Sequence, residues 1–344
     1  MKIGIITPAP PGSNFGNRVT AARWARILRK LGHQVSIAEK YDEQRFDLLI
    51  ALHARRSSPS INRWRGKNPD GPLVVALTGT DLYRDIQSNT HAEQSLKLAD
   101  RIVVLQPRAL KELTPVLQRK ARVIYQSVEV KPLRPKRRTA DRAFDVCVIG
   151  HLRVVKDPFR AALASRSLPS SSRIRITQIG GAMTRALADR ALREMKINSR
   201  YRWLGEMPRG RTLRRLAGSD LCVISSRMEG GANVLSEAIV GAVPVLASRI
   251  DGNVGILSDD YPGLFPVGDT RELARLLNRA ETDPKFLSQL KTRVKKLAPL
   301  FDPEREEKGW ESLLDEIQIR IGRLHLAGNA GALARTERSA RRKN

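Results

Sequence analysis

The stretch "DLCVISSRMEGGANVLSEAIVGAVPVLAS", residues 220–248, reads as strand, loop, helix and strand in succession. "DLCVISS" is an apolar run that ends at Ser226. "ANVLSEAIVGAVP" then carries a helical pattern stopped by Gly241 and Pro244, and "VPVLAS" (243–248) is a second apolar run. Two apolar strands joined through a helix are parallel neighbours. The loop that joins the first strand to the helix holds Glu229, Gly230 and Gly231, and Glu237 lies about two turns further on. Backbone N–H groups at such a helix start, at Gly230, Gly231 and Asn233, can receive an anion with the helix dipole behind them. A turn glycine pair flanked by two solvated glutamates is the plainer alternative for the motif alone.

The same rhythm runs through the chain. "KIGIIT" (2–7), "QVSIA" (34–38), "FDLLIAL" (46–52), "LVVALT" (73–78), "RIVVL" (101–105) and "ARVIYQ" (121–126) read as strands. Between the first two, "RVTAARWARILRKLGHQV" places Ala22, Ala25, Leu28 and Leu31 at helical spacing before Gly32. "KPLRPKRRTADR" (131–142), with two prolines and six basic residues, interrupts the pattern. It then resumes with "FDVCVIG" (144–150), "RIRITQIG" (173–180), "YRWLG" (201–205), "DLCVISS", "VPVLAS" and "GLFPVG" (263–268). The expected architecture is α/β, with two Rossmann-like doubly wound domains facing each other across a cleft. Residues 1–130 form the first, 131–142 a basic linker, and 143–302 the second. A C-terminal helix spans 303–325 and a small, basic, disordered tail 326–344. A ligand belongs in the crevice at the carboxyl ends of the strands.

Composition narrows the function. The 344 residues suit two domains, and 62 Lys plus Arg against 35 Asp plus Glu give a net charge of +27. That excess attracts polyanions, although arginine used as a generic solvated residue gives the same count. The basic linker and tail carry no recognition motif and no interleaved aromatics, so no specific nucleic-acid partner is expected. Cys147 and Cys222 lie in apolar strands without a CxxC, which suggests neither disulfide nor zinc site and fits a reducing cytoplasm. No apolar run approaches the length that spans a membrane. The four tryptophans read as packing residues, and nothing in the sequence sets an oligomeric state.

"VIGHLRVVKDP" (148–158) brings Arg153 and Lys156 to the carboxyl end of a strand, where two cations can neutralise a diphosphate leaving group. No Asp-x-Asp occurs, so a metal-clamped diphosphate has no evident ligands; neither metal nor cofactor is expected. First-domain loops facing the cleft offer Asn17, Arg18, His53, Arg55, Arg56, Thr80 and Asp81, a set suited to a phosphate-like group and poorly suited to a long apolar acceptor. Arg55 and Arg56 are adjacent, so one of the two faces the cleft. Asp81 has the alternative of capping the helix after "TGT", and His53 that of a satisfied structural histidine.

Taken in order, "GHLRVVKDP", the segment from Arg200 to Ser248 and "GLFPVGD" resemble the nucleotide-sugar half of the fourth glycosyltransferase family, which has a two-Rossmann GT-B fold. Its Glu, seven residues, Glu signature falls on Glu229 and Glu237. The resemblance implies that Glu237 holds the ribose hydroxyls, that Glu229 lies near the donor sugar, and that Arg153 and Lys156 bind the diphosphate. His151 stands where that family often has arginine, which shifts the contact to Arg153. The N-terminal segments "TPAPPGSNFGNRVTAARWARILRKLGH", "LLIALHARRSSPSINRW", "VVALTGTDLYRD" and "LADRIVVLQPRALKEL" resemble a narrower bacterial branch, the selenosugar synthases of selenoneine biosynthesis. That branch implies a UDP-sugar, UDP-N-acetylglucosamine or UDP-glucose, joined to selenophosphate through a carbon–selenium bond. Two other readings compete: an O-glycosyltransferase with a lipid or glycan acceptor, and a non-catalytic polyanion-binding protein.

Overall fold

The structure, a computed structural model, describes residues 1–129 and 142–319. Of the linker only Arg142 is included, and residues 320–344, with the tail, lie outside the described residues. All twelve expected strands are present: β1 (Lys2–Ile6), β2 (Gln34–Ala38), β3 (Leu48–Leu52), β4 (Leu73–Leu77), β5 (Arg101–Val104), β6 (Ala121–Val123), β7 (Phe144–Ile149), β8 (Ile174–Ile179), β9 (Tyr201–Trp203), β10 (Leu221–Ile224), β11 (Val245–Ser248) and β12 (Leu264–Phe265). They form two six-stranded parallel sheets, β2-β1-β3-β4-β5-β6 and β12-β11-β10-β7-β8-β9. Residue type explains the centre of each sheet. "LLIAL" in β3 and "LVVAL" in β4 are buried at every position, because helices cover both faces. β2 lies at an edge and alternates between exposed and half-buried residues.

Chain order places the crevice. In the first sheet the connection leaves β1 for β2 on one side and returns to β3 on the other. In the second sheet the same reversal separates β7 from β10. At a reversal the loops after the two neighbouring strands turn to opposite faces and open a gap beyond their carboxyl ends. The loops after β1, β3 and β4 therefore face those after β7 and β10.

The helix over 303–319 leaves the second domain and packs on the first. Trp310, Leu313, Leu314 and Ile317 join Ile3, Ile5, Trp24 and Leu28 in one buried cluster. Trp24 and Trp310 meet edge to face, with ring centroids 4.8 Å apart. This helix, set apart in the sequence as a separate element, completes the first domain's core. Cys147 and Cys222 are buried neighbours in register on β7 and β10, and burial pushes the Cys147 thiol up to about 12. Among the described residues no helix is long and apolar enough to cross a membrane.

Candidate active site

A cavity of about 330 Å³ opens where the two reversals face each other. Asn17, His53 and Thr80 line it from the first domain, and Arg153, Lys156, Glu229, Gly231, Asn233 and Glu237 from the second. These residues lie up to 220 positions apart in the chain, and the strand order brings them together.

On the second domain, one helical turn at Val154–Lys156 follows β7 and closes at Asp157, which takes a left-handed φ of 43°. The turn carries Lys156 back over the cavity, where its Nζ donates to Glu229 Oε1. Ser226 Oγ donates to the same oxygen at 2.6 Å. Glu229 is thus a buried carboxylate with a lysine and a hydroxyl as partners. Glu237, 5% exposed on the helix Asn233–Val240, pairs with Arg209 Nη1 at 2.6 Å. Burial raises the Glu237 carboxyl above the ordinary range, and the charges of Arg209 and Arg23 oppose that shift.

The glycine pair has a cause that the sequence reading did not contain. A Cβ on Gly230 would stand 2.7 Å from Gly79 N and 2.8 Å from Thr78 C, and one on Gly231 would stand 2.8 Å from Leu105 Cβ. Both glycines let the second domain's loop touch the first domain. Gly230 is buried in that contact and lies away from the cavity wall, whereas Gly231 lines it.

On the first domain three expectations change. Arg55 turns from the cavity, with its Nε on Asp85 Oδ2 at 2.8 Å, and the neighbouring Arg56 lines the wall instead. Asp81 is fully buried and accepts from the N–H groups of Ala54 (3.0 Å) and Gly79 (2.9 Å). Its oxygens are spent on tying the loops after β3 and β4 together, so it supports the wall without forming it. Arg18 is half-buried outside the lining set, and its Nη1 has no partner among the described residues.

His53 adopts a left-handed φ of 73° and is 4% exposed. Burial holds its imidazole below the usual range, with Asp81 opposing, so the ring is neutral at neutral pH. The N–H of Arg56 lies 3.4 Å from Nδ1, Asp81 Oδ2 lies 3.9 Å from the same nitrogen, and Nε2 lies 3.4 Å from Thr80 Oγ1. Burial also lowers the Arg56 guanidinium, and Arg153 and Arg55 add to the effect as like charges. Cations from both domains therefore crowd one end of the cleft.

At the other end a smaller cavity of about 120 Å³ adjoins Glu237, with Ile149, Gly180, Glu206, Met207 and Leu213 on its walls. Asn14 of the first domain closes over it by donating to Glu206 Oε1 at 2.8 Å, and Phe15 meets the His151 ring edge to face with centroids 5.2 Å apart. Arg209, Arg23, Asn14 and Glu206 did not stand out in the sequence. Arg209 sits among many arginines in "MPRGRTLRRLAGS", and no spacing rule connects it to Glu237. Among the described residues no three His, Cys, Asp or Glu side chains gather as a possible metal site.

Residues 130–297, a stretch that includes most of the second domain, match the family Glycosyl transferases group 1. No curated protein sequence matches the chain. The solved structures of similar fold include HepE of Anabaena in complex with UDP, at 16% identity and a TM-score of 0.72, covering 92% of this chain and 100% of that one. Sucrose-phosphate synthase from Thermosynechococcus elongatus aligns at 15% identity and a TM-score of 0.75, over 92% of this chain and 99% of that one. At such identities the likeness establishes the fold, which is the GT-B arrangement along nearly the whole chain.

Proposed function

We propose that the protein transfers a sugar from UDP-N-acetylglucosamine or UDP-glucose to selenophosphate, forming a carbon–selenium bond and releasing UDP. The observation that carries this reading is the cation-crowded end of the cleft, where Arg56 faces Arg153 beside His53 and Thr80. Like charges held close in a partly buried site are relieved by a small, multiply charged anion. An apolar acceptor gains nothing there. UDP as the leaving nucleotide is supported by the group 1 match, by the UDP bound in the Anabaena relative and by the walls around Glu237. Selenium as the attacking atom rests on the resemblance of the N-terminal segments.

In this reading Glu237 takes the ribose hydroxyls, and the base enters the smaller cavity under Asn14. Arg153 and Lys156 meet the diphosphate, and Glu229 orients sugar hydroxyls. A selenium lone pair attacks the anomeric carbon while the carbon–oxygen bond breaks and its electron pair leaves with UDP. Selenophosphate is already anionic, so the neutral His53 is not required as a base. Water then cleaves the selenium–phosphorus bond, releasing phosphate and a seleno-sugar.

The test is incubation with UDP-N-acetylglucosamine or UDP-glucose, with and without fresh selenophosphate, following UDP release and product mass. UDP release that depends on selenophosphate, together with a selenium-bearing sugar, supports the reading. Release without selenium incorporation moves the acceptor to oxygen. Salt-sensitive binding to nucleic acid or vesicles with no turnover makes the protein a polyanion binder. The corrected wall also predicts that Arg56→Ala raises the acceptor KM by about ten- to hundredfold, the range for losing one charged hydrogen bond. Arg55→Ala, by contrast, stays within about threefold of the wild type, because Arg55 is engaged by Asp85. UDP affinity, measured by calorimetry, is expected to be unchanged in both; a loss of UDP affinity in Arg56→Ala would remove the division between acceptor and donor walls.

A further inference from the structure

One guanidinium group pairs with Glu237, and a second, from the other domain, bonds the same helix one turn earlier and adds its charge. Arg209, on the helix Arg209–Ala217 of the second domain, places Nη1 2.6 Å from Oε1 and lines both cavities. Arg23, on the helix Gly16–Lys30 of the first domain, donates from Nη1 to Asn233 Oδ1 at 3.3 Å, one turn before Glu237 on the same helix. Behind Arg23 stands Glu306 of the C-terminal helix, 3.3 Å from Nε. Glu306 pairs with Arg23 and Glu237 with Arg209, and the bond from Arg23 to Asn233 links the two pairs across the domain interface.

The linked pairs have a chemical consequence at the cavity. A ribose diol presents two hydroxyl donors, and an ionised carboxylate can accept from both, whereas a carboxylic acid spends one oxygen on its own proton. A carboxylate as buried as Glu237 tends toward the acid form unless cations oppose it. We propose that Arg209 and Arg23 are positioning residues that hold Glu237 as an ionised acceptor for the ribose diol of the donor nucleotide. Arg209 is supplied by the second domain and pairs with the carboxylate directly, and Arg23 is supplied by the first. The idea rests on the nucleotide reading given above and adds the residues that keep its key acceptor charged. The other titratable groups around Glu237 are His151 and Glu206, which line the smaller cavity with it, His53, Lys156 and Glu229 on the wall of the larger one, and Cys222 on β10, whose thiol burial keeps neutral.

Arg209 is the residue to change, since its side chain is 43% exposed and its loss leaves the buried Arg23–Glu306 pair in place. The probe is UDP-glucose, whose diphosphate is esterified at both ends and does not titrate near neutrality. Between about pH 8 and about pH 6, wild-type affinity is expected to change by less than about threefold, whereas Arg209→Met loses about tenfold or more, the slope of one proton taken up. Arg209→Lys restores most of the loss, and Glu237→Gln in the Arg209→Met background abolishes the pH dependence. Infrared difference spectra against Glu237→Gln variants, taken without nucleotide, are expected to show Glu237 ionised in the wild type at about pH 6 and largely protonated in Arg209→Met. Affinity in Arg209→Met that is flat with pH, or a Glu237 that stays ionised there, would overturn the proposal. If UDP-glucose fails to bind the wild type while the infrared shift is present, the nucleotide reading falls and the charge pairing stands.

Discussion

Glu306→Ala is expected to destabilise the protein by about 3–5 kcal/mol, the range for removing one partner of a buried charge pair. Glu306 is 2% exposed and holds three residues at once, two on the helix Gly16–Lys30 and one in the segment after β6. Its Oε1 accepts from Trp24 Nε1 at 2.7 Å, and its Oε2 accepts from Ser127 N at 2.7 Å and from Ser127 Oγ. Arg23 Nε lies 3.3 Å from the same Oε2. Alanine would strand the indole N–H and the Ser127 donors, and leave Arg23 buried with Asn233 and the Ser127 carbonyl as its remaining hydrogen-bond partners. A stranded buried cation is costly because nothing replaces its lost hydration. The control is Glu307→Ala, one position along, whose partner Lys30 is 67% exposed at 2.6 Å. That pair is screened by solvent, so its loss is expected to cost less than about 1 kcal/mol. Urea unfolding followed by tryptophan fluorescence reads both variants, since Trp24 and Trp310 lie beside the network. Equal midpoints for the two would mean that the helix over 303–319 is held by its apolar face alone.

That network also marks where sequence reading stops. The twelve strands are legible because burial on both faces leaves near-continuous apolar runs such as "LLIAL" and "LVVAL". Lys156, Glu229 and Glu237 are legible because each lies at a fixed offset from a strand end in a known order. The choice between Arg55 and Arg56 is not, since it is made by Asp85, 30 positions away. Asp81 looks like an exposed helix cap until the N–H groups of Ala54 and Gly79 are placed around its carboxylate. Gly230 and Gly231 suggest an anion cradle in isolation. Thr78, Gly79 and Leu105, from the other domain, show that close packing demands them as well. Each of these misses concerns a contact between segments far apart in the chain, and local periodicity carries no record of such contacts.

Lys156→Met is expected to lower kcat by about 10²–10³, or roughly 3–4 kcal/mol, while UDP affinity changes less than about tenfold. As the bond from the anomeric carbon to the diphosphate breaks, negative charge gathers on the departing oxygen. A cation fixed beforehand stabilises that state more than the bound substrate, whose charge is already spread over the diphosphate. Lys156 is fixed by the turn Val154–Lys156 and by its bond to Glu229. Its removal also unpairs a buried carboxylate, leaving Ser226 Oγ as its hydrogen-bond partner among the described residues. Loss of catalysis and loss of the Glu229 position must therefore be separated. Lys156→Arg keeps the charge and the Glu229 pairing but moves the cation, so it should retain the stability of the wild type with an intermediate kcat. Glu229→Gln keeps Lys156 and the Ser226 bond while removing the negative charge. If Lys156 acts on the leaving group, Glu229→Gln loses less kcat than Lys156→Met, because the free ammonium then turns fully to the diphosphate. If Glu229→Gln is the more damaged of the two, the carboxylate is the principal group and Lys156 serves to hold it.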